Sequence, residues 1–294
     1  MIATPRYAHP EAIVSTAWLA EHLSDPALRI YDCTTYLHYE TGTGRPYRLE
    51  SGRADYEQAH IPGSAFLDLQ GELSDPAAPT NFMMRAPADL ASRFAARGIG
   101  EGTRAILYSR GSMQWATRVW WMLRAIGFDN AAVLDGGFNK WSAEGRPVET
   151  AEPRYPAARL VPAPRPGLFV DKEEVKAAIG DPGACTVNAL APDLHRGENP
   201  RYGRPGRIPG SVNVPASELV DPASLTLKAP RAVAAAFADV GADPSKRILL
   251  YCGGGIAATL DAFLLHQLGY RDVAVYDASM SEWAKDETLP IEVG

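Results

Sequence analysis

A chain of 294 residues is long for one compact domain and sufficient for two with separate cores, and 46% hydrophobic with 22% charged residues is ordinary globular composition. A net charge of −6 argues against nonspecific nucleic-acid binding. No apolar run of about 18 residues offers a membrane span, and the start, MIATPRYAHPEAIVST, lacks a basic segment followed by an apolar stretch.

Three cysteines, none in a CxxC pair, argue against a disulfide framework or a thiolate zinc site. Reduced thiols and a cytoplasmic location are the expectation.

The elements, taken in order, occur twice. Val14-Ser15 with Leu19, Leu23 and Asp25-Pro26 reads as a capped helix, and Val170-Asp171 with Val175, Ile179 and Asp181-Pro182 repeats it. Ile61-Pro62-Gly63-Ser64 returns as Ile208-Pro209-Gly210-Ser211. Gly98 and Arg104 return as Gly241 and Arg247, and Asp135 and Trp141 as Asp277 and Trp283. The separation between partners shrinks along the chain, so the first copy carries longer loops.

Each copy reads helix, strand, Pro-Gly turn, helix, strand, loop, helix, strand, with strands at Ala105–Tyr108 and Ile248–Tyr251. Buried strands alternating with amphipathic helices predict an α/β fold with a mostly parallel sheet in each copy, and place function at the carboxyl ends of the strands. Prolines at 147, 153, 156, 162, 164 and 166 mark an extended linker, dividing the chain near residue 155 into 1–155 and 156–294.

At the end of the second copy's strand stands Cys252, followed at once by Gly253, Gly254, Gly255, Ile256 and Ala257, after which Leu260, Phe263, Leu264 and Leu268 recur at helical spacing. Glycines allow amides to converge, and the helix start adds the positive end of its dipole, so an anionic sulfur is favoured there. A cysteine closing an apolar strand reads as often as a small buried hydrophobe, but that role requires no run of glycines.

The first copy has Ser109-Arg110-Gly111-Ser112 at the same place, and a serine carries no persulfide. Cys33 and Cys185 lack such a loop and read as packing residues, as do Trp120 and Trp121 on their apolar helix. Asp32 and Asn188 close strands and are expected to bond local backbone.

The repeat, the paired IPGS turns, the cysteine loop and the stretch RVWWMLRAIGFDNAAVLDGGFNKWSAEGRPVET resemble the tandem-domain rhodaneses. The resemblance implies two rhodanese-like domains, the first inactive with Ser109 at the cysteine position and the second catalytic. It implies a sulfurtransferase in which Cys252 takes a sulfane sulfur from a small donor, 3-mercaptopyruvate or thiosulfate-like, and passes the persulfide sulfur to a thiol or cyanide. The loop amides from Gly253 to Ala257 would hold the anionic sulfur. No cofactor or metal is required, and a thioredoxin-like reductant is a candidate partner.

Relative to that family, Gly253 and Gly254 replace the Arg and Lys of thiosulfate-specific members, and Leu190 and Leu194 stand where mercaptopyruvate enzymes clamp a carboxylate with arginines. The run from His195 to Arg207 holds four other arginines, of which Arg196 and Arg207 are the candidate anion clamp. His60, before the first IPGS turn, is a candidate acid or orienting group, with Glu50 or Asp55 as partner.

Two other classes compete. A phosphatase of this kind of fold needs an arginine at position 258, where the chain has Ala258. A noncatalytic persulfide carrier or regulatory binding module would keep Cys252 without turnover.

Overall fold

The computed structural model describes residues 6–40 and 45–294; the N-terminal reading above rests partly on residues 1–5, which lie outside the described residues. The first half runs β1 (Ile13–Val14), α1 (Thr16–His22), β2 (Leu28–Asp32), β3 (Thr35–Tyr39), β4 (Tyr47–Ser51), α2 (Arg53–Gln58), β5 (Ser64–Phe66), α3 (Pro87–Ala96), β6 (Arg104–Tyr108), α4 (Gln114–Ala125), β7 (Ala131–Leu134) and α5 (Gly137–Ala143). The second runs β8 (Phe169–Val170), α6 (Lys172–Ala177), β9 (Ala184–Asn188), α7 (Pro192–His195), β10 (Val212–Asn213), α8 (Pro230–Asp239), β11 (Arg247–Tyr251), α9 (Ala257–Gln267), β12 (Val273–Tyr276) and α10 (Ser279–Trp283).

Each half builds a five-stranded parallel sheet, in the order β1-β7-β6-β2-β5 and, equivalently, β8-β12-β11-β9-β10. The central strands are continuous apolar runs because helices cover both faces. The first and last strands of each sheet were not legible as strands. At two or three residues they are too short to show any period.

The repeated IPGS turn has a physical role. Ser64 Oγ lies 2.8 Å from Tyr108 Oη and Ser211 Oγ lies 2.8 Å from Tyr251 Oη, so each turn is stapled to the tyrosine just before the serine or cysteine. Gly63 (φ +76°) and Gly210 (φ +71°) make the turns in a backbone region that favours glycine.

The first copy's greater length is partly the antiparallel β3–β4 hairpin, which the second copy lacks among the described residues. Its tyrosines Tyr39 and Tyr47 reach the second half, as described below.

The halves meet along α4 and α9, the helices that follow the two equivalent loops. Thr117 and Thr259, matched residues in the repeat, touch at 3.1 Å, and Trp120 meets Phe263 edge-on at 4.9 Å. Trp120 and Trp121 are buried. The matched aspartates reciprocate: Asp135 accepts from Leu227 N and Asp277 from Met84 N, each at 2.8 Å.

Between the halves, residues 151–165 have neither helix nor strand. They are strapped to the first half through Ala158 N to Ala95 O, Ala163 N to Ile126 O and Arg165 N to Ala125 O. Among the described residues, no helix is long and apolar enough to cross a membrane.

Candidate active site

Strand β11 delivers Cys252 to the carboxyl end of the second sheet, and α9 begins five residues later. Between them, three carbonyls are held from outside: Cys252 O by Met280 N (3.0 Å), Gly253 O by Ser281 N (2.8 Å) and Ser281 Oγ (2.6 Å), and Gly255 O by Arg118 Nη1 (3.0 Å). In a trans peptide the next residue's N–H points the opposite way. The amides of Gly253, Gly254 and Ile256 therefore face away from α10 and Arg118, and none of them donates to an acceptor among the described residues. An anion at the loop would receive these donors and the start of α9 together.

Ala257 N, at the first position of α9, likewise donates to no acceptor among the described residues, whereas two amides are occupied. Cys252 N (3.0 Å) and Gly255 N (3.2 Å) both donate to Ser279 Oγ, which itself donates to Tyr276 O at 2.8 Å. Ser279 adopts φ +51°, a region costly for a non-glycine residue, and its counterpart Gly137 adopts φ +54°. Aligning the repeats at Asp135 and Asp277 brings Gly137 onto Ser279, a signal that sequence reading passed over.

Arg118 is the second residue missed. Fully buried on α4, it pairs with Asp277 at 2.6 Å, donates to Gly255 O and Phe82 O, and stacks on Phe169 at 4.7 Å. One guanidinium thus links the first half to the cysteine loop. On an apolar helix such an arginine carries no periodic signal, and only the tertiary contact reveals it.

Cys252 is 2% exposed. Tyr39, Tyr47 and Tyr202 lie within electrostatic reach of its sulfur, and burial raises all three phenols. A Cβ on Gly253 would overlap the Tyr202 hydroxyl, and one on Gly254 would lie 3.7 Å from Phe82, Ser281 Oγ and Tyr47 Oη. Outside this aromatic cover is a cleft of about 500 Å³ whose lining includes Tyr39, Arg45, Arg201, Tyr202 and Lys285.

The structure disperses the other sequence candidates. Arg196 forms a two-pronged pair with Glu198 at 2.7 and 2.9 Å on the surface. Arg207 is committed to Glu292 and to the carbonyls of His195 and Gly294, and Arg204 holds the carbonyls of Trp283, Ala284, Asp286 and Leu289. Of the four arginines, Arg201 lines the cleft, its guanidinium 3.9 Å from the Tyr39 ring centre. Leu194 is buried and Leu190 packs against the core.

His60 is fully buried within the first half, stacked on Tyr56 at 4.0 Å with Nδ1 2.8 Å from Tyr56 O and Nε2 3.3 Å from Ala151 O. Its expected partners are elsewhere: Glu50 pairs with His38 and Arg48, and Asp55 accepts from Tyr36. Burial pushes the Cys33 and Cys185 thiols up, as befits packing residues. Asp32 Oδ1 bonds Thr34 N and Asn188 Oδ1 bonds Leu190 N, the local backbone role expected of both.

A parallel α/β sheet that ends in a cysteine, an amide-lined loop and a helix start defines a thiolate- or persulfide-binding protein. Comparison makes this specific: a rhodanese-like domain matches residues 15–144 and again 173–286. The chain is 32% identical to 3-mercaptopyruvate sulfurtransferase of Rattus norvegicus, covering 92% of this chain and 91% of that protein. It is also 32% identical to thiosulfate sulfurtransferase of the same organism, with the same coverages. Among solved structures, the 3-mercaptopyruvate sulfotransferase SseA from Escherichia coli superposes with a TM-score of 0.78 at 29% identity, covering 91% of this chain and 98% of that one. The chain belongs to the rhodanese-like family.

Proposed function

We propose that this protein is a sulfurtransferase working through a Cys252 persulfide. The Cys252 thiolate attacks the outer sulfur of a small anionic donor. The Sγ–S bond forms, the bond from that sulfur to the rest of the donor breaks, and the departing fragment leaves with the electron pair. A thiol or cyanide then attacks the outer sulfur, and Cys252 leaves as thiolate.

The observation that carries this reading is the set of unpartnered amides at Gly253, Gly254 and Ile256, turned away from α10 and Arg118 by the bonds on the opposing carbonyls. They supply fixed dipoles for a charge that moves from Cys252 Sγ to the outer sulfur and back. The cleft supports a small anionic donor of the 3-mercaptopyruvate or thiosulfate type, with Arg201 and Lys285, in place of Arg196 and Arg207, in the anchoring role. The two halves act as separate domains joined within residues 151–165, the first shaping the cleft through Tyr39, Tyr47 and Arg118. All three cysteines are free, which fits a reducing cytoplasm and a thioredoxin-like thiol as acceptor.

The test is to incubate purified protein with 3-mercaptopyruvate or thiosulfate and weigh the Cys252 peptide. One added sulfur, about 32 Da, should appear and be absent in Cys252→Ser. A persulfide that no thiol or cyanide discharges catalytically would support the noncatalytic carrier instead. Arg201→Met should raise the half-saturating donor concentration about 10-fold, as expected for loss of about 1.4 kcal/mol of charge-assisted binding.

A further inference from the structure

The glycine at position 253 is not explained by its backbone. It does not lie in the left-handed region, in contrast to Gly255 at φ +69°. What excludes a side chain there is Tyr202, whose hydroxyl and ring carbons a Cβ would overlap. The phenol is thus seated against the peptide that joins Cys252 to the amide-lined loop.

That hydroxyl has no hydrogen-bond partner among the described residues, although Tyr202 is 7% exposed. Four fully buried tyrosines are bonded: Tyr108 and Tyr251 to the IPGS serines, Tyr56 to Ser64 O and Tyr31 to Arg97 O. Tyr202 also lines the cleft, so a group that reaches Cys252 from the cleft is placed to accept from this hydroxyl. Burial raises this phenol, and Tyr39, Cys252 and Tyr47 push the same way against the opposing charge of Arg201, so the group keeps its proton and serves as a donor.

We propose that the Tyr202 hydroxyl is a catalytic hydrogen-bond donor to the sulfur carried on Cys252, completing on the substrate side the ring that Gly253, Gly254 and Ile256 form on the protein side. This rests on the sulfur-transfer reading above. The phenol proton stays on its oxygen throughout. As the Sγ–S bond forms and the donor fragment departs with its electron pair, negative charge settles on the outer sulfur, and the O–H dipole is fixed toward it before the reaction.

The test compares Tyr202→Phe with the parent in single-turnover persulfide formation from 3-mercaptopyruvate and from thiosulfate, read by the mass of the Cys252 peptide, alongside thermal melting. Tyr202→Phe keeps the ring and removes the donor. The rate at saturating donor should fall about 10- to 100-fold, less than loss of an oxyanion donor because sulfur is the weaker acceptor, while the half-saturating concentration moves less than about 2-fold. Tyr202→Met, which fills the space without a donor, should lose at least as much. A Phe variant that loads sulfur at the parental rate overturns the proposal, and a loss confined to Met overturns it too, since the ring and not the hydroxyl would then act. In both cases parental loading leaves the sulfur-transfer reading standing, whereas no persulfide on the parent with either donor removes both.

Discussion

The two loops that follow β6 and β11 begin from the same backbone plan and end with opposite chemistry. In the first half, Arg110 N donates to Thr34 Oγ1 (3.0 Å), Gly111 N to Asn139 Oδ1 (2.8 Å) and Ser112 N to Arg110 O (2.7 Å), while Ser109 Oγ donates to Ser112 O (2.5 Å). The amides that could meet an anion are already used. The Arg110 side chain folds back over Phe138 at 3.6 Å, toward Asp32 and the carbonyls of Asp55 and Ala59. In the second half the matching position is Gly253, the matching strand end is Asn188, and three amides are open. The first copy therefore differs by more than the change of one sulfur to oxygen, because the whole loop has closed on itself.

Moving the nucleophile is the severest trial of this contrast. Ser109→Cys combined with Cys252→Ser should form no persulfide, a loss on the order of 10³-fold or more against the parent, as measured by peptide mass. Sulfur carried by the introduced thiol at position 109 would mean that the amide pattern is not what separates the halves.

The link between the halves comes next. Arg118→Met leaves Asp277 buried without its cation and should lower stability by about 3–5 kcal/mol in urea unfolding, with reduced sulfur loading because Gly255 O loses its donor. A smaller effect is expected at Ser279, where the first half uses glycine. Ser279→Ala keeps the left-handed strain and orphans Cys252 N and Gly255 N, for a loss of about 1–3 kcal/mol and slower loading.

The mildest prediction concerns pH. Burial holds His266, between α4 and His9, down to about 3, and His195 down to about 4. Below the ordinary histidine value near 6.5 the unfolded chain binds protons that the native state refuses, so stability is present above that value and falls as pH drops toward 4. The melting temperature should decline between about pH 6.5 and about pH 4.5, and more gently in His266→Phe. An unchanged slope would place the acid sensitivity elsewhere.

Much of the fold was legible because the repeat doubles every signal. The paired IPGS turns, the aspartates 135 and 277 and the tryptophans 141 and 283 each mark one structural task performed twice. Cys252 and its glycines were legible because strand, tight loop and helix start are consecutive in sequence. His60 and Arg196 misled for a common reason: a polar residue near a motif in sequence can point away from it in space. His60 turns into the core beneath Tyr56, and Arg196 turns to its neighbour Glu198.

Local pattern was enough to specify the twofold α/β plan, the half that holds the loop cysteine and the glycines that surround it, since periodicity, turns and short-range spacing are properties of neighbouring residues. The meeting of Tyr39 and Tyr47 from a first-half hairpin, Arg118 from α4 and Tyr202 from the arginine-rich loop at Cys252 is a product of folding. Those residues are brought together by the packing of α4 on α9 and by buried hydrogen bonds between distant segments, and such pairings depend on shape and burial that no spacing along the chain encodes.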